Sequence, residues 1–157
     1  MMESQQALTG NWRVHTSETL AAGALVAHDE DGYLVEADDK ADFVFAGINQ
    51  NRVVALATGY TTAGELAEGR VNVQGLLVAY LSKRGTNPDV IGDPVYMYNA
   101  TNVVDATDAV FDDNSHLVGK IWRFLATESP ADYKNDTYVT SGCYVLVGYD
   151  ASANYRA

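Results

Sequence analysis

The stretch Gly23-Ala-Leu-Val-Ala-His-Asp-Glu-Asp-Gly32-Tyr-Leu-Val, closing on Phe43-Val-Phe-Ala-Gly47-Ile, returns in outline as Gly92-Asp-Pro-Val-Tyr-Met-Tyr98, closing on Leu117-Val-Gly119-Lys-Ile121. Each phrase opens on a Gly or Gly-Asp-Pro turn, runs into an apolar strand, crosses a polar segment and ends in a Gly-containing apolar step. Asp31-Gly32 between two apolar runs is a strong hairpin signal, because the expected two-residue turn needs positive φ and Gly tolerates it. This grammar predicts an all-β protein: a small β-barrel, β-tulip or sandwich.

Outward from these phrases the same pattern continues. Eighteen Val and ten Tyr, with 13 Gly dispersed among them, favour extended chain, since β-branched and aromatic side chains suit a pleated surface. Strands are expected near residues 25–28, 33–37, 43–48, 52–58, 70–81, 94–99, 119–126 and 142–149. The sharpest alternation is Arg70-Val-Asn-Val-Gln74, with Val71 and Val73 on one face. After Gly75 the chain reads Leu-Leu-Val-Ala-Tyr-Leu, apolar on both faces. A change from one covered face to two, at a Gly, predicts a bend or bulge where the strand enters a core or a subunit interface. Helix should be scarce: only residues 62–68 and 130–135 could form a turn or two, and Gly64 and Gly69 weaken the first by ~1 kcal/mol each relative to Ala.

Residues 1–18 show no sustained period yet carry Trp12 and Val14 among polar neighbours, which predicts a flexible N-terminal arm ahead of a single barrel-like domain over 19–157. Trp12, Arg13 and Val14 are its candidate partner-binding anchor. The competing reading is a tail whose Trp packs on its own barrel. A chain of 157 residues buries about 70% of its unfolded surface, enough for a core without disulfides or metal. The single Cys143 lies in an apolar run and is expected to be an inert thiol.

The charge excludes one class of partner. Ten Lys and Arg against 21 Asp and Glu give −11, a field that repels nucleic acid. Nothing approaches the ~18 apolar residues of a membrane span, and the N-terminus lacks a basic-then-apolar leader, so synthesis in the cytoplasm is expected. The acidic clusters at 29–31, 36–39 and 112–113 lack the spacing of a 12-residue calcium loop. His15, His28 and His116 are too scattered for a zinc pattern, and no nucleophile elbow or phosphate loop occurs. No enzymatic activity, metal or cofactor is therefore expected, and function is sought in surfaces. The aromatic residues exceed what a small barrel core buries, and amphipathic aromatics favour protein interfaces or cross-strand pairs. Among them Tyr80, Tyr96 and Tyr98 are candidates for an oligomer interface.

Taken in order, Ala22-Gly-Ala-Leu-Val, Asp31-Gly-Tyr-Leu-Val-Glu-Ala37, Phe43-Val-Phe-Ala-Gly-Ile48, Glu68-Gly-Arg-Val-Asn-Val-Gln-Gly75, Gly92-Asp-Pro-Val-Tyr96, Leu117-Val-Gly119 and Tyr144-Val-Leu-Val-Gly148 resemble the capsid decoration, or head cement, proteins of tailed bacteriophages. The resemblance spans roughly residues 20–150 and rests on turn glycines and apolar strand positions. It implies a virion protein on the outer surface of the expanded capsid, bound to the major capsid protein, commonly a homotrimer with a terminal arm, and no catalysis. The loop at 81–92 and the excursion at 126–142 depart from the shorter members of that family. The alternative from another class is a β-rich tail, baseplate or fibre-tip protein. On the arm hypothesis, deleting residues 2–18 abolishes binding and spares the fold.

Overall fold

The structure, a computed structural model, describes residues 9–82, 88–125, 138–139 and 142–155. The all-β expectation holds. Fourteen strands are formed among these residues, and the sole helical element is a 3-10 turn at Ser152–Tyr155. The turn expected at 130–135, residues 1–8, and most of the 126–142 excursion lie outside the described residues.

The first half of the chain builds a five-stranded sheet. In spatial order it comprises β1 (Thr9–Arg13), β7 (Glu68–Asn72), β5 (Val44–Asn49), β3 (Leu25–His28) and β4 (Leu34–Glu36). Its two edges touch at Val14 and Leu34, where the His15 N–H donates to the Leu34 carbonyl at 3.0 Å. This single bridge curls the sheet around a core of Val14, Leu20, Val26, Leu34, Ala46 and Val71. A two-stranded ribbon, β2 (Thr19–Leu20) with β6 (Val53–Val54), adds Leu20 and Val53 to that core.

The second half closes into a barrel. In order around a barrel run β10 (Pro94–Met97), β11 (Asn102–Asp105), β8 (Gln74–Ser82), β14 (Cys143–Asp150) and β12 (Leu117–Leu125), which pairs again with β10. All pairings are antiparallel except β11 with β8. A short ribbon of β9 (Asp89–Val90) and β13 (Tyr138–Val139) stands beside it.

The strands shared between the two halves explain the opening phrase. Leu25, Ala27, Phe45 and Ile48 pack into the barrel-side core with Val95, Met97, Val103, Ile121, Phe124 and Val147. Val26 and Ala46 point into the other core. β3 and β5 are thus apolar on both faces because both are covered, as in the buried strands of layered proteins. Strict alternation would send Phe45 and Ile48 to opposite faces. The β3–β5 register shifts between Val26 and Ala27, so Ala46 is an extra residue and both large side chains reach one core. Gly47 makes this bulge at φ 131°, and a Cβ there would meet the Asn72 carbonyl and lie 2.9 Å from Val71 Cγ1. Backbone bonds tie the halves: Leu25 N–H to Ala100 O at 2.9 Å, Phe45 N–H to Ser115 O at 2.7 Å and Ala151 N–H to Val73 O at 2.8 Å.

Three local expectations are refined. The Asp31-Gly32 hairpin uses a three-residue loop, closed by Asp29 N–H to Tyr33 O at 2.9 Å, with Gly32 at φ 85°. The strand expected over 70–81 breaks at Val73 into β7 and β8, which belong to different halves. Residues 9–18, expected as part of an arm, belong to the body. Thr9–Arg13 pair in full with β7, and Val14 is 1% exposed, because its isopropyl group fills the first core.

Two outcomes follow for stability. Gly47→Ala forces a Cβ into positive φ against backbone, and should cost about 2–3 kcal/mol in chemical denaturation. Deletion of residues 2–18, which removes β1 and Val14, should abolish the cooperative thermal transition instead of sparing the fold; an unchanged transition would show that the first sheet stands without β1.

Candidate functional site

The barrel wall formed by β8, β14 and β12 carries a cluster of exposed apolar side chains. Inward residues Ala79, Leu81, Ile121, Phe124, Val145 and Val147 fill the core. Outward residues should be polar on a solvated strand, yet Leu76 is 54% exposed, Val78 56%, Tyr144 48% and Trp122 58%. Register makes them one patch: Tyr144 opposes Tyr80, Leu146 opposes Val78, and Gly148 opposes Leu76. On the other side of β14, Leu125 opposes Tyr144 and Arg123 opposes Leu146. Tyr80 and Tyr144 meet edge to face at 5.3 Å and 79°, a favoured aromatic geometry.

Trp122 owes its position to a bulge. The β12–β14 register shifts between Ile121 and Arg123, so Trp122 is the unpaired extra residue and stands outward beside Arg123, while Ile121 and Phe124 on either side stay in the core. Its indole lies across Gly148, where an added Cβ would be 2.6 Å from Trp122 Cε2. An aromatic ring laid over a strand glycine covers backbone that the missing side chain leaves bare. Gly148 and Trp122 therefore flatten this part of the wall together.

The anchor residues expected from sequence are elsewhere. Trp12 is half-buried, packed on Tyr155 at 4.9 Å and edge-on to His28 at 5.5 Å. Arg13 is exposed opposite Glu68. Val14 is buried. Of the three tyrosines, Tyr80 lies on the wall, whereas Tyr96 is on β10, separated from β8 by β11. Burial and the nearby Asp112 and Asp113 carboxylates raise the Tyr96 pKa. Tyr98 is half-buried just beyond β10. The structure does not gather these three into one surface. The two-faced apolar run after Gly75 carries the signal for Leu76 and Val78, whereas nothing local in the sequence sets Trp122 and Leu146 apart.

Two histidines serve the scaffold. His28 Nδ1 faces the Gly32 carbonyl at 3.2 Å and Nε2 faces the Tyr155 hydroxyl at 3.1 Å, while that hydroxyl donates to Ala46 O at 2.8 Å. Burial lowers the His28 pKa, against raising contributions from Gly32 and Asp29, and burial raises that of Tyr155. His116, 1% exposed, places Nδ1 2.6 Å from Asp113 Oδ1 and Nε2 2.7 Å from the Lys40 carbonyl. The His116 hydrogen bond is the main cause that lowers the Asp113 pKa. The contact also ties the 40–43 turn to the start of β12.

An open cleft of about 460 Å³ is lined by His15, Glu18, Asp29, Glu36, Asp38 and Lys40 among others. Among the described residues no three His, Cys, Asp or Glu gather so that they could hold a metal ion. No helix among them is long and apolar enough to cross a membrane. No family model, no curated protein and no solved structure matches the chain.

Gly148→Ala should push the indole off the wall, shifting the Trp122 emission and its quenching by acrylamide, with little change in unfolding midpoint because the exposed ring is free to swing outward. For acid stability the two shifts act in the same direction. Burial sets the folded His28 pKa below the ordinary 6.5 of the unfolded chain, so its contribution is full above that value and falls as pH drops below it. Asp113 adds stability that is present above the ordinary 3.8 and is lost as pH falls through its lower folded value. His28→Gln should flatten the melting temperature between pH 7 and 5.5, and Asp113→Asn should flatten it only below about pH 4.

Proposed function

We propose that the protein is a non-enzymatic structural component that docks on a larger protein assembly, and that this assembly is the expanded capsid of a tailed bacteriophage. The observation that carries the docking part is the apolar outer wall of the barrel, with Leu76, Val78, Trp122 and Tyr144 each about half exposed on a chain of net charge −11. Large exposed apolar patches on otherwise charged monomers mark interaction sites. The capsid part rests on the order of strand and turn motifs that resembles the decoration proteins, together with the all-β body.

In this reading the major capsid protein is the partner, the chain sits on the outside of the virion, and several copies, as a homotrimer, bridge neighbouring coat subunits. A shell under internal pressure fails where subunits part. A multivalent clamp raises that barrier because its contacts must break together, while each single contact stays weak enough for the free protein to remain soluble. No catalytic step is assigned.

The test is co-sedimentation with undecorated, expanded phage capsids, paired with light scattering of the free protein. Saturable binding at a fixed ratio to coat subunits is expected, with the free mass reporting whether a trimer pre-exists. Absence of binding, with rings or tubes formed by the protein alone, would overturn the capsid reading in favour of a tail component.

A further inference from the structure

We infer that Asp31-Gly32 is a site of spontaneous covalent modification, where Asp31 rearranges through a cyclic succinimide to isoaspartate, and that Asp29 governs how fast it does so. The inference stands independently of the docking proposal.

The chemistry starts in the sequence. Asp31-Gly32 is the one place in the chain where Asp or Asn precedes Gly. A side chain on the following residue hinders the approach of its amide nitrogen to the Asp carboxyl carbon, and Gly has none. In the reaction the Gly32 nitrogen attacks Asp31 Cγ. A bond forms between that nitrogen and Cγ, the bond from Cγ to its hydroxyl breaks, and the hydroxyl leaves with the amide proton as water. Water then opens the ring. Attack at Cγ restores Asp31, whereas attack at the former backbone carbonyl frees that carbon as a carboxylate and routes the main chain through Cβ and Cγ. The water lost is regained, nothing is oxidised or reduced, and no other reactant is needed. Glu30, Asp31 and Gly32 are all exposed at the tip of the β3–β4 hairpin, so water reaches both carbonyls.

The structure supplies the control. The Gly32 N–H, whose nitrogen is the nucleophile, donates to the Asp29 carbonyl at 3.0 Å. This is the closing bond of a β-turn that starts at Asp29 and has Asp31 in its third position. The Asp29 carboxylate holds the residues on either side: Oδ1 accepts from the Asp31 N–H at 3.0 Å and from the Tyr33 N–H at 2.9 Å. His28 Nδ1 faces the Gly32 carbonyl at 3.2 Å. For ring closure the peptide between Asp31 and Gly32 must turn its nitrogen toward the Asp31 side chain. That rotation breaks the bond from Gly32 to Asp29 and is opposed by the two bonds to Oδ1. Ring closure therefore starts from an opened loop, whose population falls with each bond that must break. The product adds a carbon to the main chain of a short loop closed by the Asp29 N–H bond to Tyr33 O, so the hairpin tip must change shape.

The experiment is incubation of the full chain at neutral pH in heavy-oxygen water, followed by peptide mapping. An isoaspartyl residue at position 31 is expected, recognised by enzymatic methylation of its free carboxylate, with heavy oxygen incorporated in the same peptide. Asp29→Ala should raise the initial rate about fivefold or more, the factor expected from losing one or two hydrogen bonds. Asp29→Asn, whose side-chain oxygen still accepts both N–H groups, should stay within about twofold of wild type. Asp31→Glu, which would have to close a larger ring, should remove the signal. Wild type held in denaturant should rearrange faster than native wild type, a comparison that needs no variant to fold. Absence of isoaspartate at position 31 from the native chain overturns the site. Equal rates in native and denatured wild type, or in folded Asp29→Ala and wild type, overturn the control by Asp29.

Discussion

Everything in this structure depends on two strands being covered on both faces. β3 and β5 separate one core, built on Val14, Leu34 and Val71, from another, built on Phe124, Ile121 and Val147. Fully burying a side chain such as Phe45 or Ile48 contributes about 1.5–3 kcal/mol, and here two opposite faces of the same strand gain it. The arrangement works because the bulge at Ala46 and Gly47 corrects the phase of β5, so that Phe45 and Ile48, three residues apart, reach the same core. Without that extra residue one of them would collide with the wrong layer.

That central wall frees the far side of the barrel. The barrel-side core is completed by β3 and β5, so β8, β14 and β12 need to supply only their inner faces. Their outer faces are not required for folding. An apolar outer face that contributes nothing to the interior and risks aggregation is a cost that folding alone does not explain.

The polar interactions reinforce the same division. The His116 contacts join the 40–43 turn of the first half to the barrel, and the Tyr155 hydroxyl, from the terminal 3-10 turn, reaches back to Ala46 on β5. Trp12 covers the same corner by stacking on Tyr155. The aromatic residue that looked like the anchor of a free arm is therefore a fastening between the chain's two ends. Its sequence neighbourhood is polar because β1 is an edge strand with alternating partial exposure, and a five-residue edge strand is too short to show a clear period.

By itself the sequence determined the all-β class and the position of several strands: residues 25–28 are a strand as read, β10 occupies 94–97 of the expected 94–99, and β14 falls within one residue of its expected bounds. Turn glycines and β-branched runs carry that information locally. It also showed that the run after Gly75 is apolar on both faces. Only the tertiary structure decided what that meant, placing Ala79 and Leu81 inside and leaving Leu76 and Val78 in water. It likewise decided that Asn102–Asp105, which reads as a polar crossing, is the parallel strand that closes the barrel. The physical reason is that alternation records which side chains favour burial, whereas the surface that buries them is supplied by strands distant in the chain, through register and bulges that no local pattern encodes.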